Sequence, residues 1–293
     1  MWERIPLAPM RLLIAGAAGM LGRDVQAAAG AAGHDFTALS RAELDITKLA
    51  AVAEAVATSR ADAVINCAAY TNVDGAESDP DAAHAVNGTG AGNVAKAAAQ
   101  AGAWTVHVSS DYVFDGDNDR PYVESDEPRP QSVYGASKLA GERAVAVAAP
   151  KRHTIVRSSW LFGTGGPCFP ATMLRLAGER EELTVVDDQV GCPTYTGHLA
   201  GALVAIATTP LPPVGVLHIA AAGECSWFEF AIEILRRAGA GTRVLPGRTA
   251  DLGRPAPRPA YSVLRSERGR QAPLLPDWGD GLDEYLATRV LVR

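Results

Sequence analysis

The stretch Leu12–Val25 reads LLIAGAAGMLGRDV and places Gly16, Gly19 and Gly22 directly after a run of apolar residues. A strand that leads through a glycine loop into a helix lets the backbone approach a pyrophosphate, with the helix N-terminus facing the anion. The spacing is GxxGxxG, whereas the most familiar dinucleotide fingerprint is GxGxxG. The pattern also fits a tight turn with close helix–strand packing, so the rest of the chain has to decide.

Short apolar runs alternate with alanine-rich helical stretches through the first half of the chain. The predicted strands are Arg11–Ala15, Asp35–Leu39, Ala63–Asn66, Trp104–Ser109 and Thr154–Ser158, and the predicted helices are Leu21–Ala32, Lys48–Ser59, Asp81–Ala101 and Tyr134–Ala148. Such alternation indicates βαβ units with right-handed crossovers and helices on both faces of a parallel sheet. We therefore predict an α/β fold with a doubly wound, Rossmann-type sheet.

This rhythm breaks after Trp160, at a loop rich in glycine and proline. We expect a dinucleotide-binding domain over residues 10–160 and a smaller C-terminal substrate lobe over residues 161–293, with elements near residues 197–222 returning to the main sheet. Beyond the break, the predicted helices are Ala171–Glu182 and Gly197–Thr208, and the predicted strands are Leu183–Asp188 and Gly215–Ala220.

The overall composition disfavours several classes of protein. The chain has 293 residues, of which 47% are hydrophobic and 20% charged, and its net charge of −6 argues against a general affinity for nucleic acid or anionic membranes. No apolar run is long enough to span a bilayer, and the N-terminus does not read as a signal peptide. Four scattered cysteines without a CxxC pair indicate reduced thiols in a cytoplasmic protein. Residues 1–9 precede the first strand and are either a short extension or the result of a misplaced start.

The residues after the second predicted strand bear on the choice of cofactor. Enzymes that prefer NAD usually carry an acidic residue there, which binds the ribose hydroxyls. This chain has Ser40 and Arg41, which can bind a 2′-phosphate through a hydrogen bond and an ion pair. They favour NADPH, with NADH as a weaker cofactor, although Arg41 also fits a solvated surface charge. Asp45 and Ile46 follow, and we expect them to flank the adenine.

Tyr134 and Lys138 lie four residues apart in PQSVYGASKLAGE (Pro130–Glu142), so they share one face of the predicted helix. An ammonium group beside a phenol favours the phenolate and lowers the pKa of the tyrosine. Such a tyrosine can give a proton to a carbonyl oxygen or take one from an alcohol. The spacing alone is a weak signal, because it also describes a packed tyrosine beside a surface lysine.

Two strand ends favour the chemical interpretation of this pair. The ligand crevice of an open α/β sheet lies at the carboxyl ends of its strands. Ser110 and Asp111 end one strand, and Ser110 is placed to bond the same carbonyl oxygen as Tyr134. Residues 68–70 follow the preceding strand, beside the expected nicotinamide ribose. A glycine loop, a strand-end serine and YxxxK in this order predict one reductase site.

These motifs together resemble the extended short-chain dehydrogenase/reductases and, more narrowly, the dTDP-4-dehydrorhamnose reductase family. The resemblance runs from about Met10 to the C-terminus and is carried by NCAAYTNVDGAE, GAWTVHVSSDYVFDG, VYGASKLAGE, IVRSSWLFG, TMLRLAGEREELTVVDDQVGCPTY and RPAYSVL. SSDYVF and DDQVGCPT are the more specific segments, since GxxGxxG and YxxxK occur throughout the superfamily. The family usually has threonine where this chain has Ser110, and the hydroxyl is kept.

The resemblance implies that NADPH reduces the C4 keto group of a dTDP-4-keto-6-deoxysugar, with dTDP-4-dehydrorhamnose converted to dTDP-L-rhamnose. Tyr134 would donate the proton, and Lys138 would orient the ribose and lower the pKa of Tyr134. The expected catalytic residues are Ser110, Tyr134 and Lys138. The expected cofactor contacts are Gly16, Gly19, Met20, Leu21, Gly22, Ser40, Arg41, Asp45, Ile46, Ala68, Ala69, Tyr70, Tyr134 and Lys138. The expected substrate contacts are Ser110, Asp111, Tyr134, Trp160, Gln189, Pro193, Thr194 and Arg258.

Several of these residues also have a purely structural interpretation. Trp160 fits a core position, Pro193 and Thr194 fit a turn, and Arg258 fits a solvated loop charge. Some members of the family bind magnesium through acidic residues near a dimer interface, and Asp24 stands near such a position. A single carboxylate on a helix surface does not support a metal site, so we predict none.

Two other functions fit the same scaffold. A nucleotide-sugar epimerase or dehydratase usually retains NAD and favours an acid after the second strand, where this chain has Ser40 and Arg41. A dehydratase also needs an acid pair near Ser110, but Asp111 is followed by Tyr112. A non-catalytic NADP-binding regulatory subunit often loses the tyrosine or the lysine, and both are present here. The sequence leaves open the exact sugar, the nucleotide base and the choice between monomer and homodimer.

Overall fold

The structure is a computed structural model that describes residues 9–290, so the origin of the N-terminal extension falls outside the described residues. The helices are α1 Met20–Ala31, α2 Leu49–Ser59, α3 Val73–Ser78, α4 Pro80–His84, α5 Ala91–Gln100, α6 Val133–Ala148, α7 Phe169–Ala177, α8 Thr196–Thr208, α9 Trp227–Arg237 and α10 Trp278–Val290. The strands are β1 Arg11–Ala15, β2 Asp35–Leu39, β3 Ala63–Asn66, β4 Trp104–Ser110, β5 His153–Ser158, β6 Leu161–Phe162, β7 Glu182–Val186, β8 Val190–Gly191, β9 Thr194–Tyr195, β10 Gly215–His218, β11 Cys225–Ser226 and β12 Arg243–Gly247.

Six parallel strands form the central sheet in the order β10-β5-β4-β3-β1-β2. The chain moves outward in one direction from β1 to β2 and in the other from β3 to β10, so the strand order reverses beside β1. Ligands of open α/β sheets bind at such a reversal, outside the carboxyl ends of the strands. The predicted doubly wound α/β sheet is confirmed.

Strand β1 shows how the sheet is buried on both faces. Leu12 and Ile14 face α1 and α8 on one side, while Leu13 and Ala15 face α2 and α5 on the other. Successive side chains of a strand point to opposite faces, and a parallel strand covered by helices therefore needs apolar residues at every position. This requirement explains the continuous run LLIA that precedes the glycine loop.

The second half of the chain contributes to two separate hydrophobic cores. Helix α8 packs with α1 against the main sheet, and β10 pairs with β5. The remaining elements form three short strand pairs, β7–β12, β8–β11 and β6–β9, together with α7, α9 and α10. Their shared core is rich in aromatic residues and includes Phe162, Phe230 and Tyr285.

Side chains occupy the outer edge of β10. The guanidinium of Arg268 donates to the carbonyl oxygens of Val214 and Val216 at 3.2 and 3.3 Å. Glu124 accepts a hydrogen bond from the backbone N–H of His218 at 2.8 Å. These contacts satisfy backbone groups that a further strand would otherwise pair with.

Two predicted helices were wrong in part. The helix expected over Asp81–Ala101 is divided into α4, a π-helical segment at Ala85–Gly90, and α5. The helix expected over Ala171–Glu182 ends at Ala177, because Gly178 terminates it and the following residues form β7 beside β12. The helices α3, α9 and α10 and the strand β12 were not predicted.

None of the helices described between residues 9 and 290 is long and apolar enough to cross a membrane.

Candidate active site

The glycine loop lies where β1 enters α1 and touches the loop after β3. Gly16 has a positive φ of 80°, and a Cβ there would lie 2.6 Å from the backbone nitrogen of Ala68. A Cβ on Gly22 would collide with the carbonyl oxygen of Gly16, so both positions require glycine. Gly19 is the N-cap residue of α1 and supplies no side-chain cap, which leaves the first-turn N–H groups for an anion.

The two residues after Gly19 have different surroundings. Leu21 turns its side chain into the core between α1 and the sheet, so any cofactor contact that it makes comes from its backbone. Met20 packs toward the C-terminal lobe, where it lies against Gly166. The loop therefore borders both the main sheet and the lobe.

An acidic residue that the sequence analysis missed lies beside Ser40. The carboxylate of Glu43 accepts hydrogen bonds from the backbone N–H and the hydroxyl of Ser40 at 2.8 and 2.7 Å. These hydrogen bonds lower the pKa of Glu43. Arg41 is exposed in the same turn. Glu43 was not predicted, because it lies three residues beyond Ser40 and the turn brings its side chain back to Ser40.

Asp45 and Ile46 lie in the next turn. Asp45 accepts hydrogen bonds from the backbone N–H and the hydroxyl of Thr47 at 3.0 and 2.7 Å, and these bonds lower its pKa. Ile46 is buried, and its carbonyl oxygen accepts a hydrogen bond from the side-chain amide of Asn93. Contact of Asp45 and Ile46 with adenine stays a prediction.

The loop after β3, Ala68–Tyr70, is fixed by Asn87, another residue that sequence reasoning missed. Asn87 Oδ1 accepts from the backbone N–H of Tyr70 at 2.8 Å, and Asn87 Nδ2 donates to Tyr70 O and to Ser137 Oγ at 3.0 and 2.9 Å. Ser137 in turn donates to the carbonyl oxygen of Tyr134. Asn87 belongs to the π-helical segment, and such segments often mark functional sites.

The start of α6 brings Tyr134 to the carboxyl end of β4. Ser132 caps the helix by accepting a hydrogen bond from the N–H of Gly135. A Cβ on Gly135 would collide with the carbonyl oxygen of Tyr112, so glycine permits this close approach. The rings of Tyr112 and Tyr134 then meet edge to face, with centroids 5.4 Å apart.

Ser110, Asp111 and Tyr134 are brought together as the sequence predicted. Ser110 Oγ donates to Asp111 Oδ1 at 2.9 Å and accepts from the N–H of Tyr112 at 3.2 Å. Burial raises the pKa of Asp111 to about 6, against the opposing effect of hydrogen bonds from Ser262 and Ser110. Burial also raises the pKa of Tyr134 to about 12, and its hydrogen bond with Ser110 opposes that rise.

Lys138 lies one helical turn beyond Tyr134 and is buried. Its Nζ donates to the carbonyl oxygen of Val108 at 2.7 Å. Burial lowers the pKa of Lys138 to about 8, while the charge of Glu142 raises it. The sequence analysis expected Lys138 to lower the pKa of Tyr134, but burial of the phenol dominates and the pKa is raised. A neutral phenol at pH 7 is suited to donate a proton to a carbonyl oxygen.

A pair of stacked tryptophans lies at the start of the C-terminal lobe, where Trp160 follows the end of β5 by two residues. Trp160 has a positive φ of 47°, which is strained for a bulky residue and occurs most often at functional sites. Its ring stacks on Trp227 with centroids 3.6 Å apart and planes 4° apart. Trp227 Nε1 donates to Gln189 Oε1 at 3.2 Å. Trp227 was missed by the sequence analysis, although the capping box of Ser226 and Glu229 predicts a helix start at that point.

Pro193 and Thr194 are buried behind Trp160. Thr194 Oγ1 donates to the carbonyl oxygen of Cys192 and accepts from the N–H of Ala221, and the N–H of Thr194 donates to Trp160 O at 3.2 Å. The hydroxyl is therefore fully used inside the protein, which agrees with the structural interpretation of this turn. A side-chain contact between these two residues and substrate stays a prediction.

Arg258 is an ion-paired residue and not a solvated loop charge. Its guanidinium binds both carboxylate oxygens of Asp74 at 3.0 and 2.9 Å, and its side chain is 11% exposed. Arg254 approaches the same carboxylate at 3.3 Å. Both arginines lie close enough to Tyr112 to lower its pKa, although burial dominates and raises it. Two cations and one anion thus border the site, and Asp74 was not predicted.

Comparisons with known proteins place these features in a family. The family model of the RmlD substrate binding domain matches residues 10–290. The chain belongs to this family. It is 47% identical over 292 residues to a dTDP-4-dehydrorhamnose reductase of Mycolicibacterium smegmatis, which covers 98% of this chain and 88% of that protein. It is 45% identical over 285 residues to the reductase of the same name from Streptomyces griseus, with 95% of this chain and 94% of that protein covered.

A solved structure of another RmlD family member has the same fold. The dTDP-4-dehydrorhamnose reductase of Bacillus anthracis, determined in complex with NADP, superimposes with a TM-score of 0.91 at 40% identity. The match covers 96% of this chain and 99% of that chain. The family resemblance inferred from the motifs is therefore confirmed.

The surroundings of Asp24 bear on the question of a magnesium site. Asp24 is half-buried, and burial raises its pKa, while a hydrogen bond with Thr196 opposes the rise. Within residues 9–290, no three histidine, cysteine, aspartate or glutamate side chains cluster closely enough to hold a metal ion. Within the described residues, Asp24 is therefore not part of such a cluster.

Proposed function

We propose that this protein uses NADPH to reduce the C4 keto group of a dTDP-4-keto-6-deoxysugar, with dTDP-4-dehydrorhamnose as substrate and dTDP-L-rhamnose as product. The observation that carries the proposal is the convergence of Ser110, Tyr134 and Lys138 at the carboxyl end of β4, in a chain of the RmlD family. The close relatives are reductases, and this disfavours the epimerase, dehydratase and regulatory alternatives.

The cofactor site has the shape that a dinucleotide requires. Gly16 and Gly22 leave the loop surface free of side chains, and the first-turn N–H groups of α1 bind the pyrophosphate. Lys138 and Tyr70 lie where the nicotinamide ribose would be held, since both border the carboxyl ends of β3 and β4. When bound, NADPH supplies the hydride that is added to C4.

Tyr134 acts as the general acid. Its phenol is neutral at pH 7, because its pKa is raised to about 12, and it donates its proton to the oxygen of the carbonyl as C4 becomes tetrahedral. Ser110, whose hydroxyl donates to Asp111 Oδ1 in the structure, turns that proton to the same carbonyl oxygen when substrate is bound. The ammonium group of Lys138 stabilises the phenolate that proton transfer leaves on Tyr134, and solvent then restores the proton.

The substrate is held mainly by the C-terminal lobe. We assign cofactor binding to residues 10–160 with the elements near residues 197–222, and substrate binding to residues 161–293. We assign substrate contact to the half-buried ring of Trp160, which suits a sugar or a pyrimidine, and to Gln189, whose amide is positioned by Thr249 Oγ1 and Trp227 Nε1. The paired Arg258 offers a cation for the diphosphate.

A direct assay tests this function. Purified protein is mixed with NADPH and dTDP-4-dehydrorhamnose, NADPH oxidation is followed by absorbance, and the product is identified by NMR. We expect stoichiometric formation of dTDP-L-rhamnose, with Tyr134→Phe as the inactive control. Absence of turnover by protein that binds NADPH normally would overturn the proposed substrate.

A further inference from the structure

Glu142 is a buried carboxylate one helical turn beyond Lys138 on α6. Its Oε1 accepts hydrogen bonds from Ser109 Oγ at 2.6 Å and from Arg157 Nε at 2.9 Å, and its Oε2 accepts from Arg157 Nη2 at 2.6 Å. The side chains of Arg157 and Glu142 are 4% and 5% exposed. This one carboxylate therefore joins α6 to the neighbouring strands β4 and β5.

The strand residue that Glu142 binds lies between two residues of the site. Ser109 follows Val108, whose carbonyl oxygen holds Lys138 Nζ, and precedes Ser110, whose hydroxyl contacts Asp111. A buried carboxylate fixed by three charge-assisted or hydroxyl hydrogen bonds leaves little freedom to the groups that it contacts. Glu142 thus fixes α6 against β4 next to the acceptor of Lys138.

The charges around Lys138 make the same residue electrostatically important. Within the described part of the chain, the titratable groups whose charges interact with Lys138 are Cys67, His107 and Glu142. Burial raises the pKa of Cys67 to about 12, so its thiol is neutral at pH 7. Burial lowers the pKa of His107 well below its ordinary value, so its ring is neutral too. Glu142 is left as the anion four residues beyond Lys138 on the same face of α6, and it is paired with Arg157.

We propose that Glu142 is a positioning residue that holds Lys138 as an ammonium ion and fixes it in register with Ser110. The role of Lys138 in turnover rests on the proposed function, whereas its role in holding the dinucleotide can be measured without any sugar. Arg157 is the counter-ion that makes a buried carboxylate tolerable at this point.

The expected pH dependence of NADPH binding follows from the direction in which the pKa of Lys138 is shifted. The pKa of Lys138 is depressed to about 8, so the ammonium form is lost as the pH rises through that value. Removing the negative charge of Glu142 removes an effect that raises this pKa, so the loss should occur at lower pH. A single charge one helical turn away displaces the midpoint by about one pH unit.

Glu142→Gln and Arg157→Gln separate electrostatic positioning from mere structural support, because both variants break the same ion pair. The dissociation constant of NADPH is measured from pH 6 to pH 9 for each variant. We expect Glu142→Gln to bind NADPH normally at pH 6 and about tenfold more weakly than wild type at pH 9. The midpoint of this loss of affinity, which is the pH at which Lys138 loses its proton, should lie about one pH unit lower than in wild type. Arg157→Gln removes the counter-ion but leaves the positive charge of Lys138 to keep Glu142 ionised between pH 6 and pH 9, so its midpoint should stay in place or rise.

Glu124→Gln is the matched control. Glu124 is a half-buried carboxylate connected to this network, since it binds the N–H of His218, whose ring Nε2 lies 3.3 Å from Arg157 Nη1. The variant Glu124→Gln should lower the melting temperature of the protein without changing the midpoint pH of NADPH binding. Equal midpoints in Glu142→Gln and Arg157→Gln would overturn the proposal, as would a wild-type midpoint in Glu142→Gln.

A second pair of variants covers the case in which Glu142→Gln does not fold. The double variant Glu142→Gln with Arg157→Gln replaces the ion pair by two amides and differs from Arg157→Gln only in the charge at position 142. Its midpoint should lie below that of Arg157→Gln, and the same midpoint in both would contradict the assignment. Turnover of dTDP-4-dehydrorhamnose is recorded in parallel, so an inactive wild type that still shows these midpoints would reject the proposed function alone.

Discussion

The two walls of the proposed active site are built in opposite ways. The catalytic wall, formed by Ser110, Tyr134 and Lys138, consists of polar atoms that are fixed to backbone carbonyls and neighbouring side chains in a buried setting. The aromatic wall, formed by Trp160, Trp227 and Gln189, consists of two half-buried stacked rings and an amide. Fixed polar atoms suit proton transfer, whereas flat apolar faces suit recognition. We therefore expect substitutions in the first wall to lower kcat and substitutions in the second to raise KM.

The largest effect should come from Tyr134→Phe in the catalytic wall. This change removes the proton donor and keeps the ring that packs against Tyr112. Turnover should fall by roughly 10²–10⁴-fold, the usual contribution of a positioned general acid, while NADPH affinity stays nearly unchanged. Steady-state kinetics and a cofactor titration measure the two quantities. Near-normal turnover would mean that Tyr134 and Lys138 are packing residues.

Trp227→Ala tests the aromatic wall. It removes the stacking partner of the strained Trp160 and the hydrogen-bond donor to Gln189, and such contacts contribute roughly 0.5–1.5 kcal/mol each. KM for the sugar nucleotide should rise by about tenfold to a hundredfold, with kcat and NADPH affinity changed little. Trp278→Ala is the control, because Trp278 packs on Phe230 in the same lobe. An equal rise in KM for both variants would place the effect in lobe stability.

The contrast between the walls also describes what the sequence could predict. The positions of Ser110, Tyr134 and Lys138 at the carboxyl end of β4 follow from local rules of strand ends and helix periodicity, whereas their catalytic roles stay a prediction. The aromatic wall was found in part, since Trp160 came from a family motif, whereas its partner Trp227 is joined to it only by tertiary packing. Asn87 was missed for a related reason, because no local pattern separates a π-helical segment from a longer α-helix.

Two substitutions beyond the walls sharpen the account of cofactor choice. Arg41→Asp should narrow or reverse the preference for NADPH over NADH, because it replaces a cation near the expected 2′-phosphate by an anion. Glu43→Gln should strengthen that preference, because the carboxylate now engages the Ser40 donors that a phosphate would use. Each substitution should change the ratio of kcat/KM for NADPH to kcat/KM for NADH by about tenfold. Shifts in the same direction would show that Ser40, Arg41 and Glu43 do not form one phosphate site.

The smallest effects should come from Ser110. Ser110→Ala removes one hydrogen bond to the carbonyl oxygen and leaves the acid in place, so turnover should fall by about tenfold or less. Ser110→Thr keeps the hydroxyl and adds only a methyl group, so turnover should stay within about threefold of wild type. Both are measured by kcat at saturating NADPH. If Ser110→Ala matched Tyr134→Phe in its loss, Ser110 would have to be a proton donor itself.

The occupied edge of β10 has a consequence for self-association. An open strand edge is a template on which a second chain can continue a sheet. Here Arg268 binds the carbonyl oxygens of Val214 and Val216, and Glu124 binds the N–H of His218, so the groups that would recruit a further strand are already taken. A homodimer of this chain would therefore not form by extending the central sheet across β10, and Arg268→Ala would open that edge to aggregation.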